Sequence, residues 1–144
     1  MKSIVCKDKR IIVARFDEGE DLLKSLTECA EENDIRSGYF TLIGGLREFR
    51  YSIYVEGSRK EFCKTTDNTF EVLPSGGNIT MQEGKVLIHC HVMAASEDGV
   101  YGGHLMEGSI IYPFAEVFMQ EIEPVIERRF DEGLNLWPID PAPK

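Results

Sequence analysis

The chain has 144 residues, a length typical of one domain with an ordinary hydrophobic core. Apolar residues make up 42% and charged residues 28%, a composition that excludes a low-complexity or disordered chain. Acidic residues outnumber basic ones by 25 to 16, and the net charge of −9 disfavours unaided binding to DNA or to anionic membranes.

The cysteines and the hydropathy pattern indicate a reduced compartment. The four cysteines lie far apart and form no CxxC pair, and the N-terminal segment lacks the apolar stretch and cleavage site of a secretory signal. No apolar run approaches the roughly 20 residues that a membrane-spanning helix needs. We therefore expect a cytoplasmic protein that does not cross a membrane. Cys29 and Cys90 fall in patterns typical of small buried apolar residues.

The first predicted elements are a strand and a helix. The strand covers residues 11–16, and turn residues at 17–19 lead into a helix over residues 20–33 and cap it. Leu22 and Leu26 belong to an apolar stripe on one face of that helix, while acidic residues cover the other face. The helix must therefore pack on a partner, which the rest of the chain has to supply.

The remaining segments predict a sheet, because they are short, rich in β-branched and aromatic residues, and bounded by turn residues. The predicted strands cover residues 37–43, 48–55, 69–73, 85–94, 108–112 and 115–122. Glycine pairs between them, such as Gly44 and Gly45, predict turns or close approaches of the backbone. With no repeat and no linker, we expect a single domain over residues 1–136. Residues 137–144 hold three of the six prolines and are expected to form a tail.

The three histidines are the sharpest chemical signal in the sequence. His89 and His91 form an HxH pair, and His104 follows within sixteen positions of the first. Residues i and i+2 of a strand share a face about 6 to 7 Å apart, so two imidazoles can converge on one ion. A hairpin turn at Asp98-Gly99 would bring His104 back beside them. Three neutral imidazoles leave a fourth position open for water or substrate, as in a catalytic or ligand-binding zinc site.

Other interpretations of these residues stay open. The histidines also fit hydrogen-bonded interior side chains or a cluster at an interface. Glu71, Glu107 and Glu116 lie in or near the strands around them, as acceptors for the rings or as a general base, and Glu71 is the preferred acid/base candidate. The short basic clusters, including Arg59-Lys60 and Arg128-Arg129, predict a solvated surface. No phosphate-binding glycine motif and no GxSxG motif is present.

With these residues in view, the chain resembles the plant and prokaryote conserved (PPC) domain family over nearly its whole length. The resemblance implies a compact α/β domain of the α+β type, an antiparallel-rich mixed sheet arranged as a sandwich with one main amphipathic helix. It also implies a homotrimer with the histidines near a subunit boundary. The motifs that carry it are RFDEGEDLLKSL (15–26), IRSGYFTLIGGL (35–46), FEVLPSGGNI (70–79), GKVLIHCHVMAASEDGVYGGHLMEGSII (84–111), AEVFM (115–119) and RRFDEGLNLW (128–137).

A more distant similarity bears on chemistry. The HxH pair followed by GGH is similar to the zinc-ligand pattern of α-acetolactate decarboxylases, and carried over residue by residue it implies a metal on His89, His91 and His104. No arginine of this chain matches the decarboxylases' arginine in the loop before Gly102, so their other catalytic groups do not carry over.

Three hypotheses for function follow. The first is a cytoplasmic homotrimer that holds a divalent transition metal, zinc by preference, beside a pocket for a small anionic ligand. The second is a metal-dependent lyase or hydrolase acting on a small oxo acid, with Glu71 as acid/base. The third is a DNA-associated or protein-interaction module. Plant members of the family bind DNA through a separate arginine-glycine-arginine-proline core, which this chain lacks, so direct DNA binding is not expected.

Overall fold

The computed structural model describes residues 3–141. Within them, no helix is long and apolar enough to cross a membrane. The three residues 142–144 of the predicted tail lie outside the described part. The elements are β1 (Lys7–Asp17), α1 (Leu22–Glu32), β2 (Gly38–Val55), β3 (Ser58–Gln82), β4 (Lys85–Ser96), β5 (Gly99–Leu105), β6 (Ile110–Glu123), β7 (Glu127–Arg128) and β8 (Ile139–Asp140).

The strands form one sheet, and four of them close into a ring. β2 pairs with β3, β3 with β4, β4 with β5, and β5 pairs back with β2. The other half of β2 pairs with β6, and β6 pairs with β1. Among the described strands, only β3 and β7 run parallel. The predicted antiparallel-rich mixed sheet with one helix is confirmed. Its strands make one closed, barrel-like sheet, and the expected sandwich arrangement is not confirmed.

Helix α1 agrees with the prediction except at its ends. Asp21 is the N-cap, and its Oδ1 accepts the backbone N–H groups of Leu23 at 3.0 Å and Lys24 at 3.2 Å. The same carboxylate accepts the N–H of Gly108 through Oδ2 at 2.6 Å, which ties the helix start to the segment before β6. Leu22 and Leu26 are fully buried, and the helix packs against β1, β4 and β6. The apolar stripe therefore faces the core, as its periodicity predicted.

Two long strands replace pairs of shorter predicted ones. β2 runs through Gly44 and Gly45 without a turn, with register irregularities on both sides of them. Gly44 has φ +146°, and a Cβ on either glycine would overlap the backbone of β6. The pair thus serves the close approach of two strands, which is the second of its two predicted roles. β6 likewise joins the strands predicted at residues 108–112 and 115–122.

One apolar cluster fills the ring and the space under the helix. Its fully buried members include Leu22, Leu26, Ile35, Leu46, Phe49, Ile79, Val92, Leu105, Ile111, Val117 and Met119. Side chains alternate along each strand, so one face of β4 and β5 supplies this cluster and the side chains of the other face lie outside it. Cys90 is 1% exposed in the cluster, as its pattern predicted.

The last elements form a C-terminal hairpin, residues 127–140. Its strands β7 and β8 pair through Glu127–Asp140 and Arg128–Ile139, and β7 is joined to β3 at Met81. Within the loop, the rings of Phe130 and Trp137 lie 5.5 Å apart. An ion pair of 2.8 Å joins Arg129 Nε to Asp140 Oδ2. The hairpin places the start of the predicted tail against the barrel.

Candidate metal centre

The histidines converge because two adjacent strands present them on one face. Along β4, Ile88, Cys90 and Val92 are buried, so His89 and His91 project from the opposite face. The turn that leads into Gly99 returns the chain along β5, where His104 stands directly opposite His91 in the antiparallel register. The fold therefore assembles the three rings that the spacing predicted to meet.

The ring geometry suits a single transition-metal ion. The Nε2 atoms of His89 and His91 lie 3.2 Å apart, and the ring centroids of His89 and His104 are 4.9 Å apart. Two nitrogens bound to one zinc at tetrahedral angles are separated by about 3.3 Å. The ligand nitrogens of all three rings lie within 4.8 Å of one another, so a side-chain movement of about 1.5 Å closes the set. Three nitrogen ligands leave the fourth tetrahedral position open.

Arg128 contacts His89 at Nδ1, the ring nitrogen that does not face His91. Its Nη2 lies 3.2 Å from Nδ1 of His89 and 2.8 Å from Oδ1 of Asn78, its Nε donates to Oγ1 of Thr80 at 2.9 Å, and its Nη1 donates to the carbonyl oxygen of Trp137 at 2.8 Å. A guanidinium only donates, so Nδ1 of His89 accepts and the neutral ring carries its proton on Nε2. A metal at Nε2 would replace that proton. A neutral metal-bound ring would carry its proton on Nδ1, so metal binding at Nε2 would require His89 to give up its hydrogen bond with Arg128.

Two of the rings are held in the neutral form that metal binding requires. Burial, followed by the charge of Arg128, lowers the pKa of His89 to about 4. Burial, followed by the charge of Arg59, lowers the pKa of His104 to about 4. Cys90, between the paired histidines, points the other way, and burial raises the pKa of its thiol to about 12. The thiol therefore stays protonated and supplies no ligand.

The histidines stand between two cavities. On one side, His89 and His104 line a partly open cavity of about 400 Å³, and residues of the C-terminal hairpin form part of its wall. On the other side, His91 lines a more open groove of about 920 Å³ together with Glu116 and Phe118. A metal held by the three rings would therefore be reachable from two directions.

The three carboxylates that the sequence suggested are scattered. Glu116 lines the groove with His91, whereas Glu107 is exposed and pairs with Lys24 at 3.7 Å. Glu71 is exposed on β3 opposite Ala95 of β4. That register is four residues beyond His91, or about 13 Å along the strand. Glu71 lines neither the cavity nor the groove, so the structure does not bring it to the histidines.

The basic residues of the site were missed by the sequence analysis, and Arg128 is a correction. It was expected on a solvated surface but is only 9% exposed, because the hairpin packs it against β3, where each of its three guanidinium nitrogens makes a hydrogen bond. Its neighbour Arg129 is exposed, as expected. Nothing in the local sequence distinguishes the two. Arg59 belongs to the outer surface of β3, yet it reaches the cavity that His89 and His104 line.

Solved structures similar to this chain share the whole fold. A metal-containing protein from Archaeoglobus fulgidus has a TM-score of 0.84 and 28% identity, with 96% of this chain and 98% of that chain covered. A plant- and prokaryote-conserved (PPC) protein from Pyrococcus horikoshii has a TM-score of 0.82 and 29% identity, with coverage of 96% and 97%. A protein from Bacteroides thetaiotaomicron whose name proposes DNA binding has a TM-score of 0.81, 22% identity, and coverage of 94% and 96%.

Sequence comparisons give the family. No protein with curated annotation matches the chain. The family model of the Plants and Prokaryotes Conserved (PCC) domain matches residues 4–123, which leaves the C-terminal hairpin beyond the matched segment. Because that match spans most of the chain and the similar structures superpose over nearly all of it, the chain belongs to the Plants and Prokaryotes Conserved domain family.

Proposed function

We propose that this protein binds a divalent transition metal, zinc by preference, through His89, His91 and His104. The observation that carries the proposal is the convergence of three ring nitrogens within 4.8 Å on one face of β4 and β5. Imidazole nitrogens are common zinc ligands, and three of them leave one position for an exchangeable ligand. The similar protein from Archaeoglobus fulgidus, named as metal-containing, supports the same assignment.

Metal analysis of protein purified without chelator tests this proposal. We expect about one zinc per chain in the natural protein, and loss of that zinc in His91→Ala. Met93→Ala is the matched control, because Met93 is exposed on the same face two residues farther along β4 and offers no imidazole. Absence of stoichiometric metal from the natural protein, or unchanged metal in His91→Ala, would remove the proposal.

We also infer a homotrimer, with the histidines near the boundary between subunits. The family resemblance suggests it, and an exposed apolar face supports it. Val13 of β1 is 63% exposed, Phe118 of β6 56% and Ile43 of β2 49%, and these strands are neighbours in the sheet. Contiguous apolar faces of this kind are typical of interfaces. Phe118 and Ile43 also line the groove that contains His91, which would put the metal beside the interface.

Light scattering coupled to gel filtration tests the assembly. We expect three times the 16.3 kDa of one chain, and a shift to the monomer in Phe118→Glu. Glu61→Gln, which changes an exposed charge on the β2–β3 hairpin, serves as the control. A monomeric natural protein at micromolar concentration would contradict the assembly.

The four free cysteines are compatible with a reduced compartment, and we place the protein in the cytoplasm.

Two alternative functions have their own tests. A metal-dependent lyase acting on a small oxo acid is favoured by the open coordination position. Glu116, which shares the groove with His91, replaces the more distant Glu71 as its acid/base candidate. A panel of 2-oxo and acetohydroxy acids without turnover would exclude it.

DNA association is suggested by the name of the Bacteroides relative and opposed by the net charge of −9. Mobility shifts at physiological salt, with and without metal, separate it from the others.

A further inference from the structure

The cavity between the histidines and the C-terminal hairpin has the features of a built ligand site. Its volume of about 400 Å³ lies in the range of small-molecule pockets. We propose that it binds a small monocarboxylate with an apolar tail, whose carboxylate lies between Arg59 and the metal held by the histidines. This inference rests on the proposed metal site and names the class of ligand that the open coordination position would take.

The charge of the cavity selects an anion. Two arginines, Arg59 and Arg128, line it, and no aspartate or glutamate is among the described residues of its wall. That contrast is informative because the chain as a whole holds 25 acidic residues against 16 basic ones. A divalent metal on the histidines would add further positive charge. A cavity of one sign in a chain of the opposite net sign concentrates ligands of complementary charge.

Of the two arginines, Arg59 is the one available to a ligand. The guanidinium of Arg128 already donates from all three nitrogens, to Thr80, Asn78 and the carbonyl oxygen of Trp137. Arg59 makes a single hydrogen bond of 3.5 Å, to Oγ of Ser52, among the residues that the structure describes. Ser52 stands opposite His104 in the register of β2 and β5, so the free donors of Arg59 lie on the side of the histidine cluster. One guanidinium with open donors matches one carboxylate in a bidentate pair.

Apolar side chains also line the cavity, and they favour a ligand with an apolar tail. The hairpin contributes Phe130, Leu136 and Trp137 to its wall, and β4 contributes Leu87. The cavity volume equals that of about thirteen water molecules, which suits a ligand of roughly eight to ten non-hydrogen atoms. Hexanoate has the required charge, tail and size and is a practical probe. A phosphate monoester of the same length carries more negative charge than a carboxylate. One free guanidinium and one metal position suit the charge of the carboxylate better.

The single tryptophan of the chain provides the readout. Trp137 is the only tryptophan and lies in the cavity wall, so its fluorescence reports directly on a bound tail. We would titrate hexanoate, hexanamide, acetate and pentyl phosphate into the zinc-loaded full chain and measure the metal content of the same samples. Hexanoate is expected to give a saturable change, hexanamide none, and acetate a weaker one because it lacks the tail.

Variants on β3 separate the guanidinium from general charge. Arg59→Gln is expected to weaken hexanoate binding at least about tenfold, because a charge-assisted hydrogen-bonded pair is lost. Arg59 and Lys60 are neighbours on an exposed strand and face opposite sides, so Lys60→Gln makes the same charge change away from the cavity and should bind within about twofold of the natural protein. Circular dichroism verifies that both variants are folded.

The outcomes distinguish this inference from the metal site on which it rests. Equal affinity in Arg59→Gln, equal binding of hexanamide, or acetate as tight as hexanoate would overturn the monocarboxylate site, and tighter binding of pentyl phosphate would overturn the carboxylate class. Full zinc content without any hexanoate binding overturns this inference and leaves the metal site standing. Absence of zinc, with hexanoate binding that still depends on Arg59, supports the carboxylate site and overturns the metal.

Discussion

Acidification is expected to destabilise the metal-free protein through two histidines. Burial and the neighbouring arginines lower the pKa of His89 and His104 to about 4, against 6.5 for an ordinary histidine. Between these two values the unfolded chain binds more protons than the folded one. The free energy of unfolding therefore falls as the pH decreases from 6.5 towards 4, and these two groups cause no further loss below that window.

The magnitude follows from the width of the window. A histidine with an unfolded pKa of 6.5 and a folded pKa of about 4 lowers the free energy of unfolding at pH 5 by about 2 kcal/mol, relative to neutral pH and in the absence of screening. Both rings are only about half shielded from water, so we halve this value and expect about 2 kcal/mol for the pair. Glu121 does not contribute in this range. Hydrogen bonds from Lys9 and then Arg10 lower the pKa of its carboxyl below 4.5, so its stabilisation is lost only as the pH falls below that value.

Urea unfolding in the presence of a chelator, followed by circular dichroism at several pH values from 7 to 5, measures this effect. The double variant His89→Gln/His104→Gln should show a nearly flat free energy of unfolding over the same range. His91→Gln is the matched control, because it leaves both of the shielded rings in place. The reasoning is refuted if the natural protein loses no stability between pH 7 and 5, or if the double variant loses as much as the natural protein.

Three further predictions concern the metal and its supports. Zinc at a hundredfold excess over its Kd should raise the free energy of unfolding by about 2.7 kcal/mol, seen as a rise in the urea midpoint that a chelator reverses, and an unchanged midpoint would count against the metal site. Gly77→Ala would press a Cβ against the carbonyl oxygen of His89, so it should lower the free energy of unfolding by about 1–3 kcal/mol and weaken zinc binding. In Gly133→Ala, the added Cβ meets only the end of a flexible carboxylate, so both quantities should be nearly unchanged in the same titrations. Asp21→Ala removes the helix cap and the acceptor of Gly108, and should lower the free energy of unfolding by about 1–2 kcal/mol in urea; a loss below about 0.5 kcal/mol would show that water replaces the carboxylate.

Local periodicity explains which parts of the molecule could be predicted from the sequence. The helix was predictable because Leu22 and Leu26 recur at helical spacing, and the histidine pair because i and i+2 share a strand face whatever the rest of the fold does. His104 needed only one hairpin to return it. Each of these inferences depends on a few neighbouring positions, and each predicted the observed arrangement.

The contributions of distant segments could not be predicted in this way. β2 passes through Gly44 and Gly45 because β6 comes close there, and β6 lies about seventy positions later in the chain. Arg128 reaches His89 because β7 joins the barrel beside β3, a contact across 39 positions. In the sequence, Arg128 and Arg129 have the same surroundings, and only the hairpin decides which of them is buried. Tertiary pairing, which no local pattern encodes, therefore determined the electrostatics of the site.

The ring of strands also affects how the site moves. β2 is hydrogen-bonded on both sides, to β3 along one edge and to β5 and β6 along the other, and β4 is enclosed between β3 and β5. None of these strands can detach alone, so their amide protons should exchange with solvent only when the whole domain opens. The histidines therefore lie on strands that are hydrogen-bonded on both sides. The conformational entropy of bringing them together is lost during folding and not when an ion binds.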